Sequence, residues 1–347
     1  MKSKRLSVEL AIKKRFTSAF GFKPGRTVSL YDSERPRFQG AAILENVSLG
    51  TSLEIMDPRS NRLEGHYFRK RDLFELNNVV LEPFQNLAYS PDGELIEETT
   101  PWPDYRLYAD FPFNGKINNP KINEGICLSS IGYYHWLIEE LPLTILALEK
   151  LADIPLIVSK KHPKYVSEFL ELIDREVIYC EGPVRCEKLF IIGKGKDSGW
   201  PHPSDLDTLR KFVPFKNVIS KQNLKSRVYA SRINSRRSPI NEKSVEELFQ
   251  ENGFDVVRLE ELSILDEIEL ISNTSILAGV HGAGLANTIW QDKHSTLVDL
   301  VNTDFWPPTT HRLAHLRDSV YVPVTSHKVE SSGVDLEKVE KLLKSIS

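Results

Sequence analysis

Three short stretches of the chain carry residue types that could act together on a substrate. The first is Tyr133-Tyr134-His135-Trp136-Leu137-Ile138-Glu139-Glu140-Leu141-Pro142. On a helix, His135 and Glu139 are four residues apart and share a face. A carboxylate beside an imidazole raises its basicity and fixes its orientation. Such a pair can take a proton from a hydroxyl; the plainer alternative is a surface pair on an amphipathic helix. The second stretch is Ser231-Arg232-Ile233-Asn234-Ser235-Arg236-Arg237, followed by Asn241-Glu242. Guanidinium groups bind phosphate bidentately and stay charged, although a charged loop is often only solvated. The third is the apolar run 275–280 that breaks into His281-Gly282-Ala283-Gly284 and resumes as Leu285-Ala286-Asn287. Small residues at a strand-to-helix turn let backbone N–H groups approach a ligand. The helix N-terminus adds the positive end of its dipole, which suits a diphosphate.

Each stretch falls where a parallel sheet would hold it. Residues 20–122 show few helical signals, and the short runs 28–31, 41–44 and 78–81 suit antiparallel strands. From about residue 125 strands and helices alternate: strand 125–130, a helix 134–151 interrupted or restarted at Pro142, strand 155–158, helix 165–173, and strands 176–179 and 189–192. Ser204 is read as the cap of a connecting helix. Asp205-Leu206-Asp207 sits at that helix start, where acids complement the dipole, and is rejected as a metal site. A second alternation follows from Arg227: strand, a helix capped by Asn241 and stopped at Gly253, strand 254–257, a helix capped by Ser263 and Asp266, strand 276–280, a helix near 284–290, and strand 296–301. That is a nucleotide-binding half, with sites expected beyond the C-terminal strand ends. Asp299 is a candidate for ribose hydroxyls. His202 and Trp306 are candidate substrate contacts, as are the aromatic loops 101–105 and 111–115. His311 and His315 share a helical face without a third ligand.

Composition narrows the classes. With 40% hydrophobic and 27% charged residues the chain is ordinarily globular, and its 347 residues allow two domains. A net charge of −3 gives no pointer to nucleic acid. Cys127, Cys180 and Cys186 match no zinc spacing and are read as free thiols of a reducing compartment. The run Leu6–Ile12 contains Glu9 and leads to Lys13-Lys14-Arg15, which argues against a signal peptide. A basic amphipathic helix there could lie on an anionic bilayer, with a solvated terminus as the plainer reading.

The string His281-Gly-Ala-Gly-Leu-Ala-Asn287 resembles the signature of glycosyltransferase family 61, which spans plant xylan-decorating enzymes, animal protein O-GlcNAc transferases and many bacterial members. The His135 and Glu139 stretch is similar to its second motif, and Ser231-Arg232 with later basic residues and Asn241-Glu242 to its third. The resemblance covers about residues 125–305 and points to a bacterial-type member. It implies a GT-B-like α/β fold of two Rossmann-like lobes facing a cleft, with a β-rich N-terminal portion. The expected division is an acceptor-side lobe 1–200, a nucleotide-sugar lobe 201–325, and a C-terminal segment 326–347 whose helix packs back on the first lobe. The implied activity is metal-independent, inverting transfer of a hexose or pentose from a nucleotide-diphosphate sugar, with UDP-sugar favoured, to a glycan or glycolipid hydroxyl. No cofactor is implied beyond the donor. Ser231, Arg232, Arg236, Arg237, His281, Gly282, Ala283, Gly284, Asn287 and Asp299 fall on the donor side, and His135 with Glu139 at the chemistry. Cytoplasmic surface-polysaccharide assembly, such as capsule synthesis, would suit these features. Two rivals remain. A non-catalytic nucleotide- or carbohydrate-binding module would keep the His281 turn without using His135. A nicotinamide oxidoreductase would need a third spaced glycine where Asn287 stands.

Overall fold

The computed structural model describes residues 41–47, 54–56, 65–67, 71–100, 121–194, 199, 201–219, 226–233, 235–303, 307–327, 331 and 333–346. The basic N-terminus, strand 28–31, both aromatic loops, Asn234 and Trp306 lie outside these residues.

The first part of the chain forms β1 (Ala41–Val47), β2 (Glu54–Met56), β3 (Gly65–Tyr67), β4 (Arg71–Glu82), β5 (Leu87–Tyr89) and β6 (Ile122–Leu128). A helical segment follows in three pieces: α1 (Tyr133–His135), a π turn (Trp136–Glu140) and α2 (Leu141–Lys150). Then come β7 (Leu156–Ser159), α3 (Lys164–Glu171), β8 (Val177–Cys180), β9 (Val184–Ile192), α4 (Pro203–Lys211) and α5 (Val213–Val218). Among the described residues the first sheet is ordered β1-β4-β9-β6-β7-β8, with β5 on β4. β9, β6, β7 and β8 run parallel, whereas β1, β4 and β5 are antiparallel. Part of the β-rich start therefore joins this sheet, because β4 pairs along β9, whereas β2 and β3 form a two-stranded sheet of their own.

The second part holds β10 (Ser226–Ala230), α6 (Glu242–Glu251), β11 (Asp255–Val257), α7 (Ile264–Ser272), β12 (Thr274–Val280), a 3₁₀ helix (Ala283–Trp290), β13 (Thr296–Asn302), α8 (Thr309–Leu316), β14 (Val320–Ser326) and α9 (Leu336–Ile346). Its five strands are all parallel and ordered β11-β10-β12-β13-β14. In chain order that is second, first, third, fourth, fifth, so the connections reverse direction between β10 and β12. The sheet is apolar on both sides, as a covered parallel sheet must be. Leu277 and Leu297 face a core shared with the first sheet's helices, with Trp136, Phe169, Phe215 and Trp290 between. Ala278, Val298 and Val280 face a second core with Phe249 of α6.

Several local expectations change. α9 places Val339 and Leu343 in the core behind the second sheet with Tyr229 and Phe249, so it does not return to the first part. The strand β14 extends the sheet beyond the predicted last strand. The element after the glycine turn is 3₁₀ rather than α. His202, not Ser204, caps α4, and its Nδ1 accepts from the Ser204 N–H at 3.1 Å. Asn241 makes no side-chain cap; its amide exchanges two hydrogen bonds with the Val334 backbone. Ser263 does cap α7 by accepting from the Asp266 N–H, and Gly253 takes the left-handed conformation at φ 77°. Cys127, Cys180 and Cys186 are free and buried.

Candidate active site

The site is built first at the end of β12. The His281 N–H still donates to the Leu300 carbonyl of the neighbouring strand, so the histidine sits at the C-terminal end of the central strand. Its Nδ1 lies 2.9 Å from Oδ2 of Asp299, and the two side chains are 9% and 0% exposed. The same Asp299 oxygen accepts from Thr310 Oγ1 at 2.6 Å and Tyr321 Oη at 2.8 Å. A buried carboxylate needs such partners. With Nδ1–H donating inward, the imidazole presents Nε2 outward. Asp299 thus acts on the turn from behind it and is fully enclosed.

Arg232 follows β10 and lies beside this turn. Its guanidinium donates to the His281 carbonyl at 2.7 Å, and its own N–H donates to Glu242 Oε1 at 2.6 Å. Glu242 also accepts from the Tyr229 hydroxyl at 3.0 Å. Gly282 has an extended backbone, and a Cβ there would sit 2.6 Å from Arg232 Nη1, so a side chain at this position would push the guanidinium tip away from the turn. Ser231 is buried; its hydroxyl bonds Glu246 and accepts from the Ile233 N–H at 3.1 Å. It shapes the loop that carries Arg232. Arg236 is exposed and Arg237 half-buried, and among the described residues no hydrogen bond ties either to the turn.

The first N–H groups of the 3₁₀ helix, those of Gly282, Ala283 and Gly284, have no acceptor among the described residues. The Leu285 N–H is spent on the Gly282 carbonyl at 3.1 Å. Asn287 is fully buried and faces inward: its amide nitrogen bonds Glu267 and the Gly284 carbonyl, and its oxygen lies 3.1 Å from Trp290 Nε1.

The second component comes from the first sheet. α1 follows β6 and packs on the 3₁₀ helix. Proline at 142 has no N–H to offer the carbonyl one turn back, and just before it the helix widens, with the Leu141 N–H reaching the Trp136 carbonyl. π turns of this kind recur at functional sites. His135 Nδ1 lies 2.9 Å from Glu139 Oε2, with the side chains 33% and 16% exposed. Burial disfavours the imidazolium, but the Glu139 charge and hydrogen bond, with Glu140 behind, outweigh it and hold the His135 pKa above its usual 6.5. The other oxygen of Glu139 accepts from the Gly199 N–H at 2.7 Å. Gly199 sits in the left-handed region at φ 81°, and its carbonyl accepts from Arg312 of α8 at 2.9 Å. Glu140 is engaged elsewhere, with Lys194 at 2.6 Å and both side chains buried. His202 is buried in its capping role, and His311 stacks on Tyr321.

Glu242, Gly199, Thr310, Tyr321 and Arg312 were not singled out as site residues by sequence reasoning, apart from Glu242 as part of a motif. Each acts through contacts between residues ten or more apart in the chain, which no local spacing signals.

Residues 133–298 match the model of the family described as Glycosyltransferase 61. The match runs from the His135 helix through the Arg232 loop and the His281 turn into β13, and stops one residue short of Asp299. Over these residues the chain is similar to glycosyltransferase family 61, and its fold is α/β with two mostly parallel sheets. No curated protein matches it.

Proposed function

We propose that the protein is an inverting glycosyltransferase of GT-B arrangement that moves a sugar from a nucleotide diphosphate, with a UDP-sugar as the first candidate donor, to a hydroxyl of a glycan or glycolipid. One observation carries this reading. The Arg232 loop and the His281 turn lie side by side at the point where the second sheet reverses its strand order, with the His135 helix packed against the same turn. Ligands in open α/β sheets bind at such a point.

In this reading the N–H groups of Gly282, Ala283 and Gly284 face the diphosphate, and His281 offers Nε2 at its edge. Arg232 holds the turn's backbone, and Arg236 and Arg237 reach the phosphates from the open loop. Asp299 and Asn287 position the turn rather than touch the nucleotide, because both are enclosed and partnered. The acceptor oxygen attacks the anomeric carbon as the bond from that carbon to the diphosphate oxygen breaks. The leaving electron pair stays on the diphosphate, where these donors stabilise the growing charge in place of a metal. The acceptor proton passes to Nε2 of His135. Glu139 is less suited as base, since one oxygen faces His135 and the other the Gly199 N–H. The working location is cytoplasmic, in surface-polysaccharide assembly, with the basic N-terminus touching the membrane.

The test is thermal stabilisation by nucleoside diphosphates and sugar nucleotides, with and without Mg²⁺, alongside NAD. A shift with UDP, GDP or CMP-type ligands that ignores Mg²⁺ supports the reading. A shift with NAD alone, or with nothing in the panel, overturns it.

A further inference from the structure

The two halves of the site are joined by a buried network that the catalytic reading leaves unused. Tyr133 opens α1, two residues before His135. Its hydroxyl lies 2.9 Å from Glu267 Oε2 on α7 and 2.9 Å from Asn287 Oδ1 on the 3₁₀ helix. Asn287 in turn meets Glu267 Oε1 through its nitrogen and Trp290 Nε1 through its oxygen. Hydrogens can be counted here. The indole N–H only donates, so it fixes the Asn287 amide with Oδ1 toward both Trp290 and Tyr133. Oδ1 can only accept, so the single hydroxyl hydrogen of Tyr133 goes to it. The hydroxyl oxygen then faces Glu267 Oε2 with lone pairs alone. Two acceptors at 2.9 Å inside the protein repel unless a hydrogen lies between them. The missing hydrogen can come only from the carboxyl itself.

We propose that Glu267 carries a proton in the working enzyme and is a positioning residue, latching the His135 helix to the His281 turn through Tyr133 and Asn287. With that proton every group in the network is satisfied: Glu267 donates to Tyr133, Tyr133 to Asn287, and Asn287 back to Glu267 and to the Gly284 carbonyl. The surroundings agree. Burial pushes the Glu267 pKa up to about 7, against the hydrogen bonds from Tyr133 and Asn287, and the charges of Glu168 and Glu260 add to the rise. Glu168 on α3 is engaged with Lys164 at 3.2 Å and with the Ile264 N–H at 3.0 Å. Burial holds the Tyr133 hydroxyl protonated as well. An acid with a raised folded-state pKa stabilises the fold at low pH and loses that contribution as pH climbs through its folded value. The latch therefore loosens between about pH 6 and 8.

The latch's role in the reaction rests on the donor and base assignments above; the proton does not. The test compares melting of the full chain and Glu267→Gln from pH 6 to 8. The amide keeps a donor toward Tyr133 and cannot ionise. The folding equilibrium of the wild type should fall about tenfold relative to the variant across that range. Parallel curves overturn the proton. Should the variant not fold, the infrared spectrum of the wild type decides. A protonated-carboxyl C=O band present at pH 6, lost by pH 8 and shifted in Tyr133→Phe supports the proposal, and its absence at pH 6 overturns it. Titration with UDP tests the coupling: affinity should drop several-fold from pH 6 to 8 in the wild type and hold in Glu267→Gln. Equal pH dependence in both proteins overturns the coupling, and a failure of UDP to bind at either pH overturns the donor reading on which it rests.

Discussion

Two histidine–carboxylate pairs stand on either side of the proposed reaction centre, each with Nδ1 2.9 Å from its acid. Their surroundings differ. His281 and Asp299 are almost sealed, and Asp299 also takes hydrogen bonds from Thr310 and Tyr321. His135 and Glu139 are partly open, mounted on a π turn, with Glu139 steadied by one backbone N–H from Gly199. The first arrangement fixes a ring and a turn; the second keeps an imidazole oriented, basic and within reach of solvent. Equal distances therefore do not mean equal roles. The two are tied together: Arg312, which holds Gly199 and through it Glu139, sits on the same helix as Thr310, which holds Asp299.

The comparison can be broken most forcefully at the open pair. His135→Ala should lower kcat by roughly 10²–10⁴-fold, the usual worth of a general base, while UDP affinity stays unchanged. Measuring both in one preparation separates an enzyme from a binding module. At the sealed pair the expected loss is in stability. Asp299→Ala strands three buried donors and should cost about 3 kcal/mol in denaturant unfolding, with UDP binding weakened because the turn is no longer held. Gly282→Ala attacks the contact between the two loops. Its methyl would displace the Arg232 guanidinium, and UDP should bind about tenfold more weakly, roughly the worth of one charged hydrogen bond. The smallest effect sharpens the contrast. The proposed base must be neutral, so activity should rise as pH climbs through the His135 pKa, which lies above 6.5. In Glu139→Gln the raising charge is gone while burial remains, so the acidic limb should move to lower pH.

Much of this was readable in advance where the signal is local. The His135–Glu139 pair follows from a four-residue spacing, and the alternating segments after residue 125 point to parallel strands, although β9 begins at Val184, well before the expected 189–192. What failed is what depends on distant partners. β14 was missed because Pro323 interrupts its apolar pattern; among the described residues the strand lies at the sheet edge, paired with β13, and edges tolerate proline. The periodicity of α9 shows one apolar face but not which sheet receives it. Pro142 signals an interruption, yet the helix yields in the turn before it, where a wider hydrogen-bond pattern is accommodated. Asn287 and Asp299 looked like ligand contacts from their place at strand and turn ends. Their burial depends on Tyr133, Glu267, Thr310 and Tyr321, which join them only in the folded chain.

The central claim is that the His281 turn holds a nucleotide diphosphate while His135, across from it, does the proton transfer. Calorimetric titration of UDP in the presence of a chelator, into wild type, His135→Ala and Gly282→Ala, tests it most directly. The account predicts equal affinity in wild type and His135→Ala and about tenfold weaker binding in Gly282→Ala. Binding lost in His135→Ala but untouched in Gly282→Ala would place the nucleotide on the wrong side of the site and contradict the account.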